Sequence, residues 1–171
     1  MGGSVKWKRE VEQSTEEIQE IIQGKYMLNI DSEDEGVFTV GCAGGGLVEC
    51  YIPAKRVVSS GRKITLTISG LTGGHSGVEI ICQRANSNVL AGRILSRLRE
   101  NFEFGVMDIN GGEKDNAIAK FTTINMVLDE DDYEGFKTDI DSIAQELKAE
   151  FEITDPDMAI TYETYTEDFQ V

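Results

Sequence analysis

From about residue 55 onward the chain changes hydrophobic period in a regular order. Lys63-Ile64-Thr65-Leu66-Thr67-Ile68 alternates polar and apolar, the pattern of a strand with one buried face, and predicts a strand over 63–69. After a glycine-rich loop, Leu90, Ile94, Leu98 and Phe102 recur every four residues and predict a helix with one apolar face. Asn86, Ser87 and Asn88 all suit its N-cap. A strand follows near 104–109, then a turn at Asn110-Gly111-Gly112 and a strand over 116–128 rich in β-branched and aromatic residues. Beyond the acidic loop 129–132, Phe136, Ile140, Ile143, Ala144, Leu147 and Phe151 line one face of a helix over 133–151. A turn at Asp155-Pro156 leads into a last strand over 158–166. The order β-α-β-β-α-β predicts an α+β, ferredoxin-like fold: a four-stranded antiparallel sheet with both helices on one face.

The first part of the chain is less regular, and a domain boundary is expected there, with 1–54 separate from 55–171. Residues 5–24 read as a helix: Ser14 and Glu17 fit a capping box, Ile18, Ile21 and Ile22 form a stripe, and Gly24 ends it. Tyr26-Met27-Leu28-Asn29-Ile30 resembles a strand buried on both faces. It runs into the acidic patch Asp31-Ser32-Glu33-Asp34-Glu35-Gly36. Further strand material is expected at 37–40, 47–52 and 56–59, with a glycine-rich hinge at 41–46.

Composition narrows the function classes. The 171-residue chain carries 31 acidic and 16 basic residues, a net charge of −15. That balance opposes nucleic acid and anionic membrane surfaces, which demand basic patches. No apolar run reaches transmembrane length. Cys42, Cys50 and Cys82 are odd in number and lack CxxC spacing, so a disulfide framework or structural zinc site is not expected; the reading is reduced thiols, mostly buried, in a cytosolic protein.

Two stretches hold candidate chemistry. His75, the single histidine, stands among Gly70, Gly73, Gly74 and Gly77 on the loop after the first regular strand. Taken alone, such a histidine is most often a turn residue. The acidic patch at 31–36 is by default a solvated turn. An EF-hand reading fails because Cys42 falls where a bidentate glutamate is needed and the flanking helices are missing. The glycine run 41–46 has no GK[ST] after it and is no phosphate loop.

Three segments, in order, carry a resemblance: LNIDSEDEGVFTVGCAGG at 28–45, GLTGGHSGVEI at 70–80 and NGGEKDNAIAKF at 110–121. They resemble the Xaa-His (aminoacyl-histidine) dipeptidases of the two-zinc metallopeptidase family that includes carnosinases and aminoacylases. The resemblance implies a cytoplasmic hydrolase with two zinc ions per active site, a dipeptide substrate, and a lid domain through which two copies form a homodimer. His75 then matches the lid histidine that reaches the partner's active site and donates to the oxyanion. Asn116 matches the asparagine of the substrate-binding N-A-I-P segment, with Ala119 in place of the proline. Asp31 matches a zinc-ligating aspartate. The family's zinc-binding histidines, its H-x-D motif and its paired glutamates have no counterpart here. The resemblance therefore implies a lid with a remnant of the catalytic domain at 1–54, inactive alone and needing the missing catalytic segments. Two readings stand beside it: a stand-alone ferredoxin-like module for small-ligand binding or dimerisation, and an acidic cation-binding protein using 31–35.

Overall fold

The computed structural model describes residues 5–6, 35–38, 40–41 and 48–165. The chain divides into two compact units, residues 1–56 and 57–171. In the first, β1 (Val5–Lys6) pairs antiparallel with β2 (Glu49–Cys50). The second unit holds β3 (Arg62–Ser69), α1 (Ser87–Asn101), β4 (Phe104–Gly111), β5 (Thr122–Leu128), α2 (Tyr133–Glu150) and β6 (Ala159–Tyr165). The sheet order is β4-β5-β3-β6, with every neighbouring pair antiparallel. This is the expected ferredoxin-like arrangement.

The alternation in the sequence sets the layers. Ile64, Leu66 and Ile68 of β3 and Ile124, Met126 and Leu128 of β5 are at most 1% exposed and face the helices. Leu90, Ala91, Ile94 and Leu98 of α1, with Phe136, Ile140, Ile143 and Leu147 of α2, close the core over them. Burying each large apolar side chain contributes about 1.5–3 kcal/mol, so this single layer carries most of the fold's stability. The other sheet face is polar: Thr65 and Asn125 hydrogen-bond across β3 and β5 at 2.6 Å, and Asn125 donates to Asp108 of β4. The N-cap of α1 is Asn86, whose side chain accepts from the Asn88 and Val89 amides.

Several boundaries differ from expectation. Residues 116–121 are not the start of β5, because Asn116 and Ile118 pair with the glycine loop, Ala119 with the first residue of α1 and Phe121 with Gly112, none of them in β4. β4 runs on through Asn110 and Gly111, with an irregularity between Val106 and Asp108, so the expected tight turn is instead a long connection, 112–121. Val5 and Lys6 are strand, not helix; the rest of the expected helix, the strand at 26–30 and Asp31–Asp34 lie outside the described residues. Val37, Phe38 and Val40 are exposed and in no strand, and 56–59 is likewise irregular. Cys50 and Cys82 are free thiols, but both are exposed rather than buried, and Cys82 lies on a short 3-10 turn with no buried residue.

Candidate functional site

The glycine-rich loop leaves the end of β3 at Gly70. Gly70 has φ 72°, and a Cβ there would collide with the Asp157 backbone carbonyl. The loop then passes through His75, makes the 3-10 turn Ile80–Cys82, and enters α1 at Ser87. Both ends of the loop are fastened by one carboxylate. Asp155, 1% exposed, accepts from the Thr72 amide at 2.9 Å and from the Ala85 amide at 2.8 Å. The C-terminal end of α2 places it, since the Asp155 amide donates to the Phe151 carbonyl. Thr72 Oγ1 adds a hydrogen bond to the Thr154 carbonyl.

A second carboxylate braces the middle of the loop. Glu79 Oε2 accepts from the His75 amide at 2.7 Å, and Glu79 Oε1 pairs with Arg84 at 2.9 Å. Arg84 also donates to the Gly73 carbonyl at 2.6 Å. The His75 amide, followed by the Arg84 guanidinium, holds the Glu79 carboxyl below its ordinary range.

Segment 116–121 runs antiparallel beside this loop. The Ser76 amide donates to the Asn116 carbonyl at 2.9 Å and the Ile118 amide to the Gly74 carbonyl at 2.8 Å. His75 and Ala117 between them are a bridge pair of the non-hydrogen-bonded kind, in which opposed side chains stand closest. Ser87 donates its amide to the Ala119 carbonyl, which ties the segment to the start of α1. An open cleft of about 430 Å³ lies along this seam, bordered by Thr72, Gly74, Asn110, Ala117, Lys120 and Phe121.

His75 itself is exposed, and its ring is oriented by main chain. Nδ1 accepts from the Gly77 amide at 3.1 Å and the Val78 amide at 3.2 Å. In the neutral imidazole the ring proton is therefore on Nε2, which has no partner among the described residues. The loop thus presents an outward N–H donor on a braced support. Chemically that suits donation to a developing oxyanion, where a fixed donor is worth far more than a mobile one.

Of the residues expected from sequence, His75 and Asn116 are brought to neighbouring segments of one seam, while Asp31 lies outside the described residues. Three contributors were missed. Glu79 lies four residues after His75, a spacing that could have signalled a local contact; Arg84 and Asp155 carried no local signal. Among the described residues no group of three or more His, Cys, Asp or Glu side chains is placed to hold a metal ion. The described donor set therefore does not fit zinc. No helix among the described residues is long and apolar enough to cross a membrane.

Comparison with known proteins agrees with this architecture. Residues 66–155 match the family described as "Peptidase dimerisation domain". The cytosol non-specific dipeptidase of Escherichia coli (strain K12) is 32% identical over 151 residues, which cover 86% of this chain and 31% of that protein. The crystal structure of the aminoacylhistidine dipeptidase from Vibrio alginolyticus superposes with a TM-score of 0.63 at 26% identity, covering 68% of this chain and 24% of that one. The chain thus spans about a third or less of the length of these relatives. The match to residues 66–155 takes in β3 from Leu66, the His75 loop, both helices and Asp155, and on that ground the chain belongs to the peptidase dimerisation domain family.

Proposed function

We propose that this chain supplies the lid and dimerisation domain of a metal-dependent, cytoplasmic dipeptidase that cleaves Xaa-His dipeptides. The observation that carries the reading is the His75 imidazole: exposed, with Nδ1 occupied by two backbone amides and Nε2–H directed away from them as a donor. In a homodimer this donor reaches the partner's active site and stabilises the oxyanion formed at the scissile carbonyl. Asn116, fixed on the adjoining segment by the Ser76 amide donating to its carbonyl, contributes an amide to substrate binding. Residues 1–54 are the remnant of a catalytic domain, in which Asp31 would be one ligand of a zinc ion otherwise held by the missing catalytic segments; bound there, zinc would activate water. The cytosol non-specific dipeptidase of Escherichia coli supports a dipeptide substrate and the compartment, and the aminoacylhistidine dipeptidase of Vibrio alginolyticus supports the Xaa-His preference. The acidic net charge of −15 supports a partner set without nucleic acid or membrane.

The test is hydrolysis of an Xaa-His dipeptide with added zinc and a chelator control. The chain alone gives no turnover. A polypeptide that completes the active site turns over, and His75→Ala lowers its kcat about 10²–10³-fold, the usual cost of removing one oxyanion donor. Full activity of the His75→Ala protein sinks the reading. A second reading, a stand-alone small-ligand module, draws on the cleft of about 430 Å³, a volume within the range of ligand pockets. A thermal shift on adding dipeptides to the chain alone, without turnover, favours it.

A further inference from the structure

Glu79 does something a solvated loop acid does not. Its two oxygens are divided between the main chain of His75 and the guanidinium of Arg84, and Arg84 in turn grips the Gly73 carbonyl. The Glu79 amide also donates to the His75 carbonyl at 3.1 Å. His75 is thereby held at both its N–H and its C=O by one residue. The remaining backbone donors nearby, Gly77 and Val78, fix the ring. Gly74 leaves room for this clasp. A Cβ on Gly74 would stand 2.5 Å from the Arg84 guanidinium and 2.6 Å from the Glu79 carboxylate, at a φ of 133°.

We propose that Glu79, clasped by Arg84 over Gly74, is a positioning residue that holds the His75 ring with Nδ1 against the Gly77 and Val78 amides and Nε2–H outward. Neither Glu79 nor Arg84 touches the reacting atoms in this account. The catalytic consequence rests on the reading of His75 as an oxyanion donor; the positioning itself does not.

The chain has one histidine, so the ring nitrogens of His75 give a single set of ¹⁵N resonances in the intact protein. In the wild-type chain these report the Nε2–H tautomer. Glu79→Gln retains shape but can accept with only one oxygen, so one of its two donors loses its partner. The expected result is a His75 amide that exchanges about tenfold faster and an Nδ1 resonance moved toward that of free imidazole. The core amides of Leu66 and Ile124 exchange as before. Gly74→Ala gives the same signature with both charges still present. Unchanged His75 signals in Glu79→Gln overturn the proposal, and so does an equal change in loop and core amides. In a polypeptide that completes the active site, Glu79→Gln lowers kcat and leaves KM in place. Altered His75 resonances with kcat intact retain the clasp and overturn the oxyanion role.

Discussion

Asp155 Oδ2 accepts from the Ala85 amide at 2.8 Å across 70 positions of sequence. With Oδ1 on the Thr72 amide, the same side chain closes the base of the His75 loop. A closed base makes the loop part of the core unit rather than an appendage, because opening it leaves a buried carboxylate and two amides without partners. Asp155→Ala is therefore expected to cost about 3 kcal/mol in denaturant unfolding, and Asp155→Asn somewhat less, since the amide keeps one acceptor but turns an NH₂ toward the other donor. A loss below about 0.5 kcal/mol in both would remove Asp155 from this role.

The Glu79 clasp makes the loop sensitive to acid. Glu79 has an ordinary carboxyl value of 4.5 and lies below it in the fold, chiefly through the His75 amide and then Arg84. A depressed folded value means that the contribution is fully present above 4.5 and is lost as pH falls through the folded value. The groups facing the carboxylate are Arg84 and His75, both on the same loop. The His75 amide proton is therefore expected to hold its shift through pH 4.5 and to move upfield only as pH falls through the lower folded value. A shift that moves between pH 6 and 5 instead argues for another titrating group.

Gly70→Ala tests where the loop departs from the sheet. The added methyl meets the Asp157 carbonyl at a φ of 72°, and neither backbone can retreat without disturbing the Ser69–Ala159 pairing. Destabilisation of about 2 kcal/mol or more is expected, read as a lower denaturant midpoint with unchanged slope.

Ion pairs between the helices contribute little by contrast. Arg93 and Glu150 join α1 to α2 at 2.6 Å, yet both side chains are more than 40% exposed. A double-mutant cycle on this pair is expected to give a coupling of less than about 1 kcal/mol, shrinking further in salt. A coupling of several kcal/mol contradicts that ranking.

The architecture was legible because each regular element had a clean period and one apolar face. Ile64, Leu66 and Ile68 announce β3; Phe136, Ile140, Ile143 and Leu147 announce α2. Residues 116–121 misled because Ile118 and Phe121 continue the apolar look of β5, whereas their main chain pairs with glycines, which carry no side-chain signal. His75 and Asn116 stood out through motif alone. Asp155 did not, because an aspartate before proline reads as a turn and its partners lie 83 and 70 positions away. Cys82 was expected inside on residue type, but a short 3-10 turn offers no interior.

The fastenings of the His75 loop use the Asp155, Glu79 and Arg84 side chains and main chain, including the Val78 amide, while the side chains of Val78, Ile80 and Ile81, residues 60%, 59% and 83% exposed, take no part in them. Mounting and front plate are thus separate parts. Side-chain substitutions at those three positions, short of a proline that would remove the Val78 amide, can reshape the rim that the loop presents while the imidazole keeps its support.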